Sequence, residues 1–362
     1  MTGKALTLGV PTAPDRALFH QLSEQVFASG QYANNGPLAA LFEMKLGQLY
    51  GQELALFTSS GTSALTLALQ SLKLPHGTEV LTPALTFVAT SSAIEAAGLK
   101  PRFVPCHPVS LTLDPGRLEP YITSRVGAIL AVHLLGVECD SQLDALAQQH
   151  QLPLIYDAAH IFPQEPEGAK ELLGRGRFSC ISLHATKLLH SGEGGAVFCQ
   201  DPQDLPYLQQ IRNFGLNAGI PQAFGINGKA SELSAALGLA VIPEIGKELV
   251  ARRALAQELD AIMQASPRAW VHPRGRHSNI FYAFRCEPGE QKQLVQQLQE
   301  KKIMARTFPA LTQEGSYWSR YALDDLPLRQ ESDELAQSFV ALPFHSQVAQ
   351  KHLESIYEVL NP

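Results

Sequence analysis

From Leu54 to Cys199 the chain alternates short apolar runs with helix-patterned segments, and this alternation limits the fold more than any other feature of the 362 residues. ELALFT (53–58), EVLTP (79–83), PRFVPC (101–106), VGAILAVHLLG (126–136), LPLIYDAA (152–159), FSCISLHATK (178–187) and GGAVFCQ (194–200) read as strands. Between them, SALTLALQSLKL (63–74), TFVATSSAIEAAG (86–98) and SQLDALAQQHQ (141–151) read as helices, the last capped by Ser141 or Asp140. Continuous apolar runs separated by helices predict an α/β fold with a mainly parallel sheet covered on both faces. From Lys229 the pattern changes. Residues 231–264 are helical with a break near Pro243, followed by a strand-like IFYAFRC (280–286), the helix EQKQLVQQLQEKK (290–302) and a terminal helix at 349–360. Single cores stop growing at roughly 250–300 residues, so two domains are expected: a large one over 1–245 and a smaller α+β one over 246–362.

Composition removes several classes of function. Hydrophobic residues make up 45% and the net charge is only −6, which excludes disorder as the main state and argues against a nucleic-acid partner. Cys106, Cys139, Cys180, Cys199 and Cys286 are scattered with no CxxC spacing, so neither a metal site nor a disulfide framework is expected. Free thiols fit a reducing cytoplasm. The start, MTGKALTLGVPTAPDRA, has no apolar core of signal-peptide length. The most apolar stretch, VGAILAVHLLGV (126–137), falls short of the ~20 residues that cross a bilayer, and its His133 reads as a packed core residue. No GxGxxG follows the first strand, and no P-loop or GxSxG elbow is present.

Four segments lie at strand ends or helix starts, where open α/β sheets bind ligands. TSSGTSAL (58–65) puts small hydroxyl residues and a glycine at a helix start, which serves either as an ordinary cap or as a phosphate site. IYDAAH (155–160) ends a buried strand on Asp157, which either caps the next helix or faces a cation. SLHATK (182–187) ends an apolar run on Lys187, just before the glycine turn HSGEGG (190–195). A partly buried lysine has a lowered pKa and can form a Schiff base, although a single loop lysine is ordinarily a surface residue. FGINGKASEL (224–233) offers Asn227 and Lys229, either to a neighbouring group or to turn chemistry. A phosphate-binding helix start, an aspartate and a later lysine on one parallel sheet are the parts that a pyridoxal-phosphate (PLP) enzyme needs. Lys187 would hold the cofactor aldehyde, Asp157 would keep the pyridine nitrogen protonated, and Ser60, Gly61, Thr62 and Ser182 would hold the phosphate.

Beyond these segments, QYANNGPLAALFE (31–43), TPALTFVATSSAI, VHLLGVECD, RNFG and ALPFHSQV (341–348) complete an ordered set. With it the chain resembles, over nearly its full length, the DegT/DnrJ/EryC1/StrS sugar-nucleotide aminotransferases, PLP enzymes of fold type I. The resemblance implies a large seven-stranded domain with a smaller C-terminal one. It implies that Lys187 is the Schiff-base lysine, Asp157 the partner of the ring nitrogen, His160 a contact of the ring hydroxyl and Phe87 the stacking aromatic. Asn227 matches a residue that reaches the phosphate of an adjacent subunit, which implies a homodimer with shared sites. Tyr32, Asn34 and Asn35 either line the substrate cleft or form a turn. His184 and Lys229 are expected substrate contacts. Arg306 either meets a substrate diphosphate or is a solvated arginine. Glu232 is expected to cap or pair locally at a helix start. The chain departs from the family at IFPQEP (161–166), LLHSG (188–192) and Gly228-Lys229.

The GINGKASE form (225–232) most resembles the viosamine-type enzymes. The implied reaction is transamination of a nucleotide-linked 4-keto-6-deoxyhexose, dTDP-4-keto-6-deoxy-D-glucose first, with L-glutamate as donor and surface polysaccharide as destination. Three alternatives stand beside it: a 3-keto-sugar aminotransferase, a PLP-dependent sugar dehydratase in which a histidine would replace Lys187, and a non-catalytic PLP-binding sensor.

Overall fold

The computed structural model describes residues 5–163, 166–275, 280–322 and 324–362. Seven strands form the main sheet: β1 (Ala55–Thr58), β2 (Glu79–Pro83), β3 (Lys100–Val104), β4 (Val126–Val132), β5 (Leu154–Asp157), β6 (Phe178–Ser182) and β7 (Gly195–Cys199). Their order is β1-β7-β6-β5-β4-β2-β3. All pairings are parallel except those of β7, which runs against both β1 and β6. The parallel expectation therefore holds for six strands. The seventh is reversed because the chain turns back after β6 through an excursion closed by Leu183 N–H to Gly194 O (2.9 Å) and Ala185 N–H to Gly192 O (2.8 Å).

Helices cover both faces of this sheet. Phe42, Phe57, Phe198 and Leu239 meet in the apolar layer on one face, and Leu67, Ala93, Leu130 and Val197 in the layer on the other. The helix Gly61–Ser71 begins where the spacing predicts, with Ser60 Oγ accepting from Ser63 N–H (3.0 Å). The helix Gln142–Gln149 has no side-chain bond from Ser141; Asp140 Oδ1 accepts the amide of Gln142 instead (2.9 Å). Near Pro243 the long helical stretch divides, through a 3₁₀ turn, into Glu232–Val241 and Ile245–Ala265. Five further helices, Arg16–Ser29, Pro37–Tyr50, Pro166–Leu173, Asp204–Arg212 and Leu326–Ala336, stand outside the segments read from the sequence.

A hairpin, β8 (Leu216–Asn217) and β9 (Ile220–Pro221), projects from the main layer. The C-terminal part builds a second, antiparallel sheet from β10 (Trp270–Val271), β11 (Tyr282–Arg285) and β12 (Phe339–Leu342). Its own apolar cluster joins Leu259, Phe284, Leu298 and Ile356, and Leu6 is drawn into it from the start of the chain. Among the described residues no helix is long and apolar enough to cross a membrane. All five cysteines are free and buried. Of the departing segment IFPQEP, Gln164 and Glu165 lie outside the described residues.

Candidate active site

Strands β1, β2, β4, β5 and β6 point the same way, so the residues that follow them collect at one edge of the sheet, where open α/β folds place their ligands. A cavity of about 260 Å³ opens there. Ser60, Gly61, Thr62, Phe87, Asp157, His160, Ser182, His184, Lys187 and Arg306 all line it. These ten come from five stretches of chain, and the fold gathers them.

Asp157 ends β5 and is only 5% exposed. No helix follows it directly. Its Oδ1 accepts the amide of Ala159 (3.1 Å) and its Oδ2 the hydroxyl of Thr90 (2.9 Å), which is in turn bonded to Thr86 Oγ1 (2.8 Å). Burial raises its pKa; the two hydrogen bonds and the nearby Lys187 oppose that rise. Lys187 lies in a tight turn, its amide bonded to His184 O (2.8 Å). Its ammonium is 5.8 Å from the centre of the Phe281 ring. Burial and then the Arg306 charge, against the pull of Asp157, push its pKa down to about 8.

His160 is buried, and its Nδ1 accepts the amide of Leu135 (3.1 Å), so the ring proton sits on Nε2. Burial, with Lys187 and Arg306 nearby, holds it well below the usual histidine range and therefore neutral. Its ring meets Phe281 edge to face at 4.9 Å. Phe87 is half-exposed at the start of the helix Val88–Ala96. Arg306 stacks between Phe308 (4.8 Å) and Phe87 (5.9 Å).

The helix start at Ser60 is pressed against two strand ends. A Cβ on Gly195 would stand 2.5 Å from the Ser60 carbonyl group and 2.6 Å from Gly61 N, and one on Gly61 would stand 3.1 Å from Ser182 Cβ. Glycine at both positions lets the helix start sit against β6 and β7 with the hydroxyls of Ser60, Thr62 and Ser182 around it. The amides of Gly61 and Thr62 have no partner within the helix, so this end offers N–H donors that suit an anion.

Five expected residues do not reach this cavity from their own chain. Asn227 is exposed and pairs with Asn213 in an isolated bridge. Lys229 is no free cation: its Nζ donates to Asn213 Oδ1 (2.6 Å) and lies over Phe214. Tyr32, Asn34 and Asn35 form an exposed turn, with Asn34 (φ 66°) and Asn35 (φ 57°) in the left-handed region that asparagine tolerates. Glu232 is not a local cap. It is fully buried, and its carboxylate accepts the amides of Leu38 (2.8 Å) and Ala39 (3.1 Å) at the start of a helix that lies 194 residues earlier. His133 is a core residue, stacked on Tyr156 and accepting the amide of Cys139. Thr86, Thr90, Phe281 and Phe308 belong to the site and were not singled out from the sequence. For the two threonines the signal was an i, i+4 hydroxyl pair beside Phe87; the phenylalanines had none.

With this geometry established, residues 15–361 match the model of the DegT/DnrJ/EryC1/StrS aminotransferase family. The chain belongs to that family. A dTDP-4-amino-4,6-dideoxy-D-glucose transaminase of Shigella dysenteriae is 32% identical over 370 residues, covering 99% of this chain and 98% of that one. A UDP-2-acetamido-2-deoxy-3-oxo-D-glucuronate aminotransferase of Pseudomonas aeruginosa is 32% identical over 66% of each chain. Among solved structures, DesI in the presence of its TDP-sugar product superposes with a TM-score of 0.86 at 25% identity, covering 99% of this chain and 92% of that one. The protein is a PLP-dependent aminotransferase of fold type I. The residues present fit that cofactor: a buried carboxylate that calls for a cation, an amine of depressed pKa, and an anion-binding helix start face one cavity.

Proposed function

We propose that this aminotransferase moves the amino group of L-glutamate onto the keto carbon of a nucleotide-linked 4-keto-6-deoxyhexose. The product would be a 4-amino-4,6-dideoxy sugar nucleotide for surface polysaccharide synthesis, with dTDP-4-keto-6-deoxy-D-glucose the first substrate to test. The observation that carries the reading is the single cavity shared by Lys187, Asp157 and the Ser60–Thr62 helix start. The near full-length similarity to a transaminase of the 4-amino-4,6-dideoxyglucose type supports the sugar.

Each residue then has a task. PLP, when bound, supplies a conjugated ring that accepts electrons from the carbon being deaminated. Lys187 would hold its aldehyde, and as a free amine it would move a proton to and from that carbon; a pKa pushed down to about 8 in the cofactor-free protein favours the neutral amine. Asp157 holds a proton on the ring nitrogen. His160, with its proton on Nε2, donates toward the ring hydroxyl. Phe87 covers a ring face, and Ser60, Gly61, Thr62 and Ser182 take the phosphate. His184 and Arg306 are left for substrate.

The reading includes a homodimer with shared sites. Asn227 would reach the cofactor phosphate of a second copy, with Tyr32, Asn34 and Asn35 facing that copy's substrate. Support comes from their exposure and from the exposed Phe214, Ile220 and Phe224 on the adjoining segment. The division into residues 1–245 and 246–362 is part of the same reading and is supported by the separate apolar cluster of the second sheet. Five buried free thiols suit a cytoplasmic setting.

The test is direct. Purified protein with PLP, glutamate and dTDP-4-keto-6-deoxyglucose should yield a 4-amino sugar by NMR, and Lys187→Ala should lose both the visible cofactor band and turnover. The Pseudomonas relative supports a second reading, amination of a 3-keto nucleotide sugar. A 3-amino product from the corresponding ketosugar would select it.

A further inference from the structure

Residues 5–14, mostly without regular structure, run as a strap between the two walls of the cavity. At its first end Leu6 bridges Ile303, with its amide bonded to Lys302 O (2.8 Å) and its carbonyl to the amide of Met304 (3.0 Å). His345 Nε2 donates to Thr7 O (2.9 Å). The segment gripped here continues directly into Arg306 and Phe308, which line one wall.

At its other end the strap grips the lysine turn. Buried Thr12 donates its hydroxyl to Leu188 O (2.7 Å). The carbonyl of Thr12 accepts from Nε2 of buried His190 (2.8 Å), whose Nδ1 accepts the amide of Gly192 (3.4 Å), so the imidazole is neutral and held on both nitrogens. Gly9 packs on Thr186, whose Cβ would be 3.8 Å from a Cβ placed there. The strap therefore touches the residues on both sides of Lys187. Leu188 and Leu189 are themselves buried, which leaves the turn little freedom once the strap is in place.

We propose that Thr12 and His190 are positioning residues for Lys187: through them the strap fixes the height at which the lysine enters the cavity, measured from the Arg306–Phe308 wall. Neither residue lines the cavity, so both act through the backbone of residues 186–192. The proposal rests on the reading of Lys187 as the lysine that binds the cofactor.

The experiment uses the PLP-loaded protein and follows the pH midpoint of its visible band, together with kcat and KM. Thr12→Val removes the hydroxyl and Thr12→Ser keeps it; His190→Ala removes the ring and His190→Gln keeps an N–H donor. Thr12→Val and His190→Ala should move the midpoint by about half a pH unit or more, because the amine changes its solvation and its distance from charge. They should lower kcat by about fivefold or more with KM near the parent, since an interaction outside substrate binding is lost. Thr12→Ser and His190→Gln should behave as the parent does. A Thr12→Val protein that unfolds at lower urea but keeps the parental midpoint and kcat reduces the strap to a structural tether and overturns the proposal. If His190→Ala does not fold, the two Thr12 variants decide alone. Lys187→Ala, run alongside, separates the two levels: loss of the band with Thr12→Val unchanged sinks only the strap, whereas a retained pH-dependent band removes the lysine reading and the strap together.

Discussion

The hydroxyl of Thr90 donates to Oδ2 of Asp157 across 2.9 Å, beneath the cavity and out of contact with solvent. It stabilises a charge that burial opposes. Thr90→Val should therefore weaken the ionised form of Asp157 by about 1.5–3 kcal/mol. The carboxyl already has a folded-state pKa above its ordinary 3.8, so it favours folding at low pH and loses that contribution as pH rises through the folded value. In cofactor-free protein the deficit of Thr90→Val relative to the parent should grow as pH rises, and be smaller at about pH 4 than at about pH 8. Urea unfolding at the two pH values measures it. An equal deficit at both would show that Thr90 acts by packing alone.

Lys187 titrates near 8 because burial and Arg306 disfavour its charge. In cofactor-free protein its labelling by an amine reagent should rise about tenfold per pH unit below 8 and then level off, as the neutral amine accumulates. Surface lysines should continue to gain up to about 10.4. Arg306→Leu should move the Lys187 midpoint up and Asp157→Asn should move it down. Peptide mass spectrometry reads each site, and a Lys187 midpoint at the surface value would refute the description of its surroundings.

Gly195→Ala places a methyl group 2.5 Å from the Ser60 carbonyl group. Backbone cannot yield as a side chain can, so the helix start must move away from β7. The cost in stability should be about 1–3 kcal/mol. PLP affinity should fall by about tenfold or more, because the anion site is the part displaced. Spectral titration of cofactor-free protein gives the affinity, and parental binding would separate the helix start from the phosphate.

Glu232→Ala leaves two helix-start amides, those of Leu38 and Ala39, without their buried acceptor. A loss of about 1.5–3 kcal/mol is expected for bonds to a charged group, and Glu232→Gln, which keeps one acceptor oxygen, should recover part of it. Chemical denaturation decides. A change below about 0.5 kcal/mol would mean that water replaces the carboxylate.

How much was legible follows from the range of each interaction. Strands β1 to β7 were visible because short, largely apolar runs bounded by turns are a local signal. The direction of β7 was not, since an apolar run carries no arrow and only the closed excursion after β6 reverses it. The helices Pro37–Tyr50, Asp204–Arg212 and Leu326–Ala336 each hold a proline within their first turn, where it is tolerated, yet in a bare sequence it suggests a break. Asp157 and Lys187 could be singled out because a charged residue at the end of an apolar run is locally conspicuous. Phe281 and Phe308 could not, because a phenylalanine in an apolar segment looks like core until the fold shows which face meets the cavity.

The sequence by itself determined the seven strands of the main sheet, the helices read between them, the Ser60 cap and the chemical types available at the strand ends, since each depends on neighbours within about one helical turn. Only the tertiary structure decided that Glu232 caps a helix nearly two hundred residues away, that Thr90 supports Asp157, that Lys229 is spent on Asn213, and that the strap through Thr12 joins the lysine turn to the wall carrying Arg306. These contacts join residues distant in the chain. Their geometry is set by how the layers pack, which no local pattern records.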